Sequence, residues 1–320
     1  MHDVENLSYN HNMSAIEKIE KLQDTLRSDP SNFQARRQLA MLLLDNGYNK
    51  EALAHFLHLA EIFKEDSELY YNTGIVYEKL KDLHNAEEAY LNAIKYAPED
   101  VDAYYNLGLV YTDLGKFDKA VDCFETVLDS DNEDSNTYFN IGICYFKQEK
   151  FDSAKYYFER TIELNPEDLY AHFYLGNIFK TTGDLALARS EFEKVLEISP
   201  DYSWAYYNLA VLDFEENNIP SALENLRQTV NYNPKDVEAY KIWARVLMKN
   251  KRFPQAIEVL NNGLKKCGEN GDFYFLLGEA YKNLNDIEKA KDALSLALKN
   301  YNSLTFDVAF VKDKLNNIHS

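Results

Sequence analysis

Small residues return at a constant interval of 34 positions through most of this chain, and this period constrains the fold more than any other feature. Each small residue is followed twelve positions later by an alanine, and four positions after that by a large apolar residue. The three columns are Ala40, Gly74, Gly108, Gly142, Gly176, Ala210, Ala244 and Gly278; Ala52, Ala86, Ala120, Ala154, Ala188, Ala222, Ala256 and Ala290; and Phe56, Tyr90, Phe124, Phe158, Phe192, Leu226, Leu260 and Leu294. A period of this length, kept over eight repeats, predicts a tandem array in which each repeat packs mainly on its neighbours.

Each repeat predicts two helices, and residues 101–134 show the pattern clearly. The first helix carries an apolar stripe at i, i+3, i+4 and i+7 from Tyr104, and the second carries the same period from Ala120. The small residues Gly108 and Ala120 predict where the two helices approach closely, because helices come together only over short side chains.

Prolines are expected to end the second helix in four repeats, because proline lacks the backbone N–H and clashes with the preceding turn. These prolines are Pro98, Pro166, Pro200 and Pro234. The remaining repeats have Lys64, Asn132, Gly268 and Asn302 at that position.

The motif resembles that of the tetratricopeptide repeat (TPR) family, as in YYNLGLVYTDLGKFDKAVDCF (104–124) and HFYLGNIFKTTGDLALARSEF (172–192). The resemblance implies an all-α fold, a right-handed superhelical solenoid of antiparallel helix pairs. It covers residues 33–304 as eight TPR repeats. Their bounds are 33–66, 67–100, 101–134, 135–168, 169–202, 203–236, 237–270 and 271–304. The fold alone does not define a function, because this scaffold serves many tasks.

Both ends are predicted to be capped, since terminal repeats of a solenoid otherwise expose apolar faces. We expect a flexible leader over residues 1–13 and an N-terminal capping helix over 14–32. Ser14 and Glu17 have the spacing of a capping box at its start. A C-terminal capping helix is expected over residues 305–320.

Composition argues against several function classes. With 34 Lys and Arg against 53 Asp and Glu, the formal charge is −19, so we expect no nucleic-acid partner. No apolar run approaches the length of a membrane span, and no signal peptide is recognised, so a cytoplasmic protein is expected. Catalytic motifs are absent from the sequence, and we expect no enzyme, no cofactor and no metal. His55 and His58 are interpreted as an exposed helical face.

In the TPR family, a second face of each first helix lines the concave groove, and the resemblance places a row of aromatics beside a row of asparagines there. An asparagine can both donate to and accept from an extended peptide backbone, and an aromatic ring can bury a side chain. The rows resemble the asparagine ladder of O-linked N-acetylglucosamine transferases and the peptide clefts of bacterial pheromone sensors. The alternative is that these residues serve packing and solubility alone. The predicted groove residues are Tyr71, Asn72, Tyr105, Asn106, Phe139, Asn140, Phe173, Asn177, Trp204, Tyr207, Asn208, Lys241, Arg245 and Lys249.

Charge is unevenly distributed along the repeats. Residues 67–236 hold 32 acidic and 14 basic residues, a net of −18, whereas residues 237–304 hold 8 and 11, a net of +3. The acidic repeats favour a basic partner. Lys241, Arg245 and Lys249 form a stripe that could hold a carboxylate or an acidic segment. The carboxylate clamp of chaperone-docking TPR domains is not matched, because Phe173 occupies its first lysine position.

The leading functional prediction is a non-catalytic scaffold that binds an extended peptide segment of a partner in the groove of repeats 2 to 6. One alternative is a structural subunit of a large assembly, bound through the convex face. A second is the substrate-selecting partner of a glycosyltransferase-like enzyme, acting in trans because no catalytic domain follows the repeats. A third is a peptide-responsive regulator, although the short leader leaves no room for a DNA-binding domain. Self-association is left open.

Overall fold

A computed structural model describes residues 14–318, and this part of the chain contains eighteen α-helices, one short 3₁₀-helix and no β-strand. The helices pack in consecutive antiparallel pairs, one pair per repeat, so the predicted all-α solenoid of TPR helix pairs is confirmed. Two compact units divide the chain at residue 166, and each is described separately below. The expected leader, residues 1–13, lies outside the described residues.

The first unit begins with a single helix, Ala15–Ser28, followed by four helix pairs. The pairs are Phe33–Asp45 with Asn49–Ile62, Ser67–Lys79 with Leu83–Tyr96, Val101–Asp113 with Phe117–Ser130, and Ser135–Lys147 with Phe151–Leu164. In the second unit the pairs are Leu169–Thr182 with Leu185–Ile198, Ser203–Glu215 with Ile219–Tyr232, Val237–Lys249 with Phe253–Cys267, and Gly271–Asn283 with Ile287–Lys299. The 3₁₀-helix Tyr301–Ser303 and the helix Val308–Asn316 complete it.

The first helices begin at a recurring acidic or amide cap. Asp66, Asp100, Asp168 and Asp236, and Asn270 in repeat 8, each accept a hydrogen bond from the backbone N–H three residues later. Such caps satisfy donors that the first helical turn leaves without partners. The cap recurs at the repeat interval and therefore fixes where each repeat starts.

Second helices end at the predicted place, but a proline is not required for this. The second helices of repeats 2, 4, 5 and 6 each end two residues before their proline, which is Pro98, Pro166, Pro200 or Pro234. However, the second helix of repeat 3 ends at Ser130, the equivalent place, although Asn132 replaces the proline. The tight connection to the following capped helix is sufficient to stop the helix there.

Each helix pair closes over a contact between a small residue and a large side chain. In repeat 3, a Cβ added to Gly108 would lie only 2.6 Å from the Cε1 atom of Phe124, and both residues are buried. Glycine leaves room for the ring of Phe124 in this repeat, whereas repeat 1 has Ala40 opposite Phe56 at the same positions. Repeats 6 and 7 achieve the contact with alanine opposite a leucine, Ala210 with Leu226 and Ala244 with Leu260.

Both ends of the described chain carry an unpaired helix. The capping box is confirmed: the Glu17 N–H donates to Ser14 Oγ at 3.3 Å, and the Ser14 N–H donates to Glu17 Oε2 at 2.7 Å. The C-terminal helix begins at Val308 and not at residue 305, because the preceding residues are held in a non-helical segment. Within residues 14–318, every helix is too short or too polar to cross a bilayer.

Candidate functional site

In the first unit, tyrosines and asparagines of consecutive first helices form hydrogen-bonded pairs. Asn106 Nδ2 donates to the Tyr71 hydroxyl at 3.1 Å, and Asn140 Nδ2 donates to the Tyr105 hydroxyl at 3.0 Å. All four side chains are half-buried. We call this surface the Tyr–Asn face. The sequence predicted the two rows but not that each asparagine would be bound by the tyrosine of the preceding repeat.

Burial keeps the hydroxyls of this face neutral. It raises the pKa of Tyr71, and Asp102 raises it further, while the hydrogen bond from Asn106 opposes the shift. Burial also raises the pKa of Tyr105, against the hydrogen bond from Asn140. Both hydroxyls therefore stay protonated, so each accepts the amide hydrogen bond and keeps its own O–H as a donor.

The predicted groove aromatics also pack against the second helix of their own repeat. The ring centroids of Tyr105 and Phe124 are 5.8 Å apart and meet edge to face, and those of Tyr71 and Tyr90 are 5.9 Å apart. Phe139 packs similarly on Phe158, at 5.6 Å. Part of each ring therefore stabilises its repeat, as the packing interpretation predicted, and part remains at the surface.

The predicted row of asparagines, which Tyr174 interrupts once in the sequence, does not present free amides at two of its positions. Asn72 is only 6% exposed and donates to the Glu68 carbonyl, and Asn208 is 4% exposed and donates to the Trp204 carbonyl. In these places the side chain folds back onto its own helix, because the preceding repeat offers no hydroxyl at the equivalent position. The residues there are Arg37 and Phe173.

The carboxamide oxygen of Asn208, in the second unit, has a partner of its own. The Lys180 ammonium donates to Asn208 Oδ1, and burial lowers the pKa of Lys180, while Glu215 opposes that shift. Asn177 donates to its own helix, through the Phe173 carbonyl at 2.9 Å. A ladder of free amides is therefore not present in this unit among the described residues.

Two aromatic residues of the second unit, Trp204 and Tyr170, are largely exposed. Trp204 is 48% exposed, and its ring centroid lies 6.2 Å from that of Tyr207. Tyr170, which lies 34 residues before Trp204 and so at the equivalent position of the preceding repeat, is 57% exposed. The rings of Trp204 and Tyr207 meet edge to face, at an interplanar angle of 77°.

The inclusion of Lys241 in the groove is also wrong. Lys241 is 5% exposed, and its ammonium is bound by Asp272 at 2.7 Å and Glu238 at 2.8 Å. Burial would lower the pKa of Lys241, but the hydrogen bonds that its ammonium donates to both carboxylates raise it. Its charge is already neutralised inside the protein. Arg245 and Lys249, the rest of the predicted stripe, are exposed.

A crevice of about 800 Å³, which was not predicted from the sequence, lies between the second helices of repeats 6 and 7. Trp243 and Leu247 of the intervening first helix, with Leu223 and Val259, form its apolar floor. Arg227, Arg252 and Glu258 lie at its edge. One signal was available: Trp243 occupies a position that carries leucine in repeats 1, 3, 5, 6 and 8.

Within the described range, residues 14–318, no group of three or more His, Cys, Asp or Glu side chains could hold a metal ion. His55 lies 3.3 Å from an Arg36 nitrogen, and burial lowers its pKa, with further lowering from Arg36 and His58. This environment disfavours a charged imidazole and gives His55 a packing role.

These helix pairs define a tandem helical-repeat protein that presents ordered side chains along its first helices. Family models described as tetratricopeptide repeat match residues 12–71, 65–133, 99–167, 139–203, 181–246 and 271–303. The chain therefore belongs to the tetratricopeptide repeat family, whose members use such arrays as protein-interaction scaffolds.

Solved structures share this fold at low sequence identity. The C-terminal part of a TPR repeat-containing protein from Cytophaga hutchinsonii matches with a TM-score of 0.64 and 20% identity, over 77% of this chain and 98% of that one. A tetratricopeptide repeat protein from Parabacteroides merdae matches with a TM-score of 0.57 and 18% identity, over 78% and 97%. MamA from Desulfovibrio magneticus matches with a TM-score of 0.52 and 24% identity, over 54% and 97%. A search of curated proteins returned no match.

Proposed function

We propose that this chain is a non-catalytic scaffold that binds an extended segment of a partner protein along the Tyr–Asn face of the first unit. The observation that carries the proposal is the pairing of Asn106 with Tyr71 and of Asn140 with Tyr105. Each pair holds a carboxamide in a fixed orientation, so less side-chain freedom is lost when a ligand binds.

The paired asparagines keep hydrogen-bonding capacity for a ligand. A carboxamide has two N–H donors and one acceptor oxygen, and the tyrosine occupies one donor. The second N–H and the oxygen of Asn106 and Asn140 have no other hydrogen bond among the described residues. Those groups match the carbonyl and N–H of an extended peptide backbone, which is a sequence-independent form of recognition.

Charge favours a basic segment on this face. Glu68 and Asp102 are both exposed and lie on the first helices that carry Tyr71 and Tyr105. Asp102 is close enough to Tyr71 to raise its pKa. A lysine or arginine of the ligand would find the Asp102 carboxylate beside the paired amides, whereas Glu68 already pairs with Arg37 at 3.6 Å. The attraction would weaken as salt is added.

The experiment is an affinity capture of partners from a native extract with three forms of the protein. These are the parent, an Asn106→Ala/Asn140→Ala variant, and an Asn92→Ala control on a second helix, where the amide bonds only its own helix. We expect a partner that is retained by the parent and the control and lost by the double variant.

Equal retention by all three forms would overturn the proposal. It would direct attention to the second-helix side, where the crevice floored by Trp243 favours the structural-subunit alternative. A benzophenone photocrosslinker at Leu109, one helical turn after Tyr105, and another at the exposed Leu91 of a second helix would then locate the partner directly.

A further inference from the structure

The segment that follows repeat 8 extends the first-helix surface of the second unit. Phe306 stacks on Phe275, with ring centroids 4.0 Å apart, and Phe310 lies 6.2 Å from Phe275. In the repeat register, Phe275 is the equivalent of Tyr71 and Tyr105. The rings of Phe306 and Phe310 therefore pack against the buried Phe275 at the first helix of repeat 8, and Phe310 is 46% exposed.

Two exposed cations of repeat 7 lie over aromatic rings of the neighbouring elements. The Arg245 guanidinium carbon is 6.0 Å from the centroid of Phe306, and Lys249 Nζ is 4.6 Å from the centroid of Phe214. The two residues are one helical turn apart. A ring on one side of a cation fixes its position and removes water from that side, while the opposite side stays open to a ligand.

These cations have no carboxylate partner within residues 14–318, and three acids of repeats 7 and 8 bind other cations. Asp272 and Glu238 bind Lys241, and Glu279 binds Lys314 at 2.9 Å. Lys282, two turns from Phe275 on the same helix, is likewise exposed and without an ion pair in this range.

We propose that Arg245, Lys249 and Lys282, with Phe306 and Phe310, form a docking surface for an acidic peptide segment that also carries aromatic or apolar side chains. We call it the cationic face. Carboxylates of the ligand would bind Arg245, Lys249 and Lys282. The Arg245 guanidinium can bind both oxygens of one carboxylate. The ligand's apolar side chains would pack on Phe306 and Phe310.

The surrounding charge favours a short peptide over a nucleic acid. Repeats 7 and 8, residues 237–304, hold 8 acidic and 11 basic residues, whereas repeats 5 and 6, residues 169–236, hold 10 and 5. A long polyanion reaching beyond the cationic face would be repelled by those earlier repeats. A short acidic segment can bind wholly within the positive region.

The cationic face lies in the second unit and does not depend on the Tyr–Asn face. One chain would then hold two different segments, one basic and one acidic, on its two units. A scaffold of this kind brings two partners, or two segments of one partner, to a high effective concentration.

The test is a fluorescence anisotropy titration with a fluorescein-labelled short peptide of alternating glutamate and tyrosine. Matched peptides replace glutamate by glutamine or by lysine, and an oligothymidylate of similar length serves as the nucleic-acid probe. The protein forms are the full chain, Arg245→Glu/Lys249→Glu, Phe310→Ala, and the control Lys265→Glu/Lys266→Glu. The control makes the same charge change at two exposed lysines of a second helix, and circular dichroism melting verifies that every form is folded.

We expect the glutamate–tyrosine peptide alone to bind the full chain and the control. The Arg245→Glu/Lys249→Glu variant should lose about tenfold or more in affinity, because charge-assisted hydrogen bonds are replaced by repulsion. Phe310→Ala should weaken binding of this peptide to a smaller extent. The proposal is overturned if the full chain does not bind the peptide, or if both charge-reversed variants weaken equally. It is also overturned if oligothymidylate binds as tightly and responds to the same substitutions, since the face would then be a nucleic-acid site.

Discussion

The side chain of Asn106 donates a hydrogen bond to the hydroxyl of Tyr71, which lies one repeat earlier, and Asn140 repeats the arrangement with Tyr105. One residue pair thus has two consequences. It joins consecutive repeats through a polar contact at the edge of their apolar interface, and it orients an amide that faces outward. Stability and recognition are coupled at these positions, so a substitution here affects both.

Removing the Tyr105 hydroxyl should destabilise the protein measurably. In Tyr105→Phe the ring still packs on Phe124, but Asn140 loses its acceptor, which we expect to cost about 1 kcal/mol in the free energy of unfolding. The matched control is Tyr104→Phe on the same helix, because the Tyr104 hydroxyl has no hydrogen-bond partner within residues 14–318. Urea unfolding followed by circular dichroism measures both. Identical midpoints for the two variants would mean that the hydrogen bond contributes nothing in solution.

The contact between Gly108 and Phe124 should behave as a coupled pair. Gly108→Ala should be destabilising by about 1–3 kcal/mol from overpacking, partly offset by roughly 1 kcal/mol from the better helix propensity of alanine. Adding Phe124→Leu should recover much of that loss, since repeats 6 and 7 already combine alanine with leucine at these positions. A double-mutant cycle from thermal unfolding gives the coupling energy. Strictly additive effects would contradict the contact.

The buried pair of Lys241 and Asp272 should be sensitive to the loss of either charge. Asp272 is 1% exposed and also accepts hydrogen bonds from the Thr305 backbone N–H and side chain. Asp272→Asn leaves the Lys241 ammonium with Glu238 alone, and we expect a loss of about 3 kcal/mol in stability. Glu238→Gln, at a largely exposed partner, should change the unfolding midpoint little.

The Lys241–Asp272 pair should also make the stability of the protein depend on pH. Burial would raise the pKa of Asp272, but the hydrogen bonds from Lys241 and Thr305 lower it below its ordinary value. Its stabilising contribution is therefore complete above the unfolded pKa of about 3.9 and is lost as the pH falls through the lower folded value. The difference in unfolding free energy between the parent and Asp272→Asn should be largest near neutral pH and should shrink in strong acid. A difference that stays constant with pH would argue against an ionised Asp272.

The three cysteines should differ in reactivity. Burial raises the pKa of Cys123 to about 12, and Asp122 adds to the shift, while Cys144 is fully buried beside Thr112. Cys267 is only half-buried. Alkylation with iodoacetamide, followed by mass spectrometry, should modify Cys267 first. The other two should react only after denaturant is added, and early modification of Cys123 would show that the second helix of repeat 3 opens readily.

Periodicity was sufficient to predict the helix pairs, because small residues such as Gly108 can recur at a fixed interval only if the same close contact recurs. The burial and the hydrogen-bond partners of individual polar side chains were not predictable in the same way. Whether Asn72 faces a ligand or its own helix depends on the residue one repeat earlier, and the burial of Lys241 depends on Asp272. The rings of Phe306 and Phe310 join the surface because a non-helical segment precedes the last helix, and no repeat pattern encodes that segment.

The glycine–ring contacts also bear on how the chain acquires its structure during synthesis. Gly108 and Phe124 belong to adjacent helices joined by a short turn, so their contact closes a loop only sixteen residues long. Loops of this size form quickly and at small entropic cost, which favours rapid folding. Once one whole repeat has emerged from the ribosome, every residue that this contact needs is available. Each helix pair can therefore fold while translation continues. A folded pair then provides the surface on which the next pair packs.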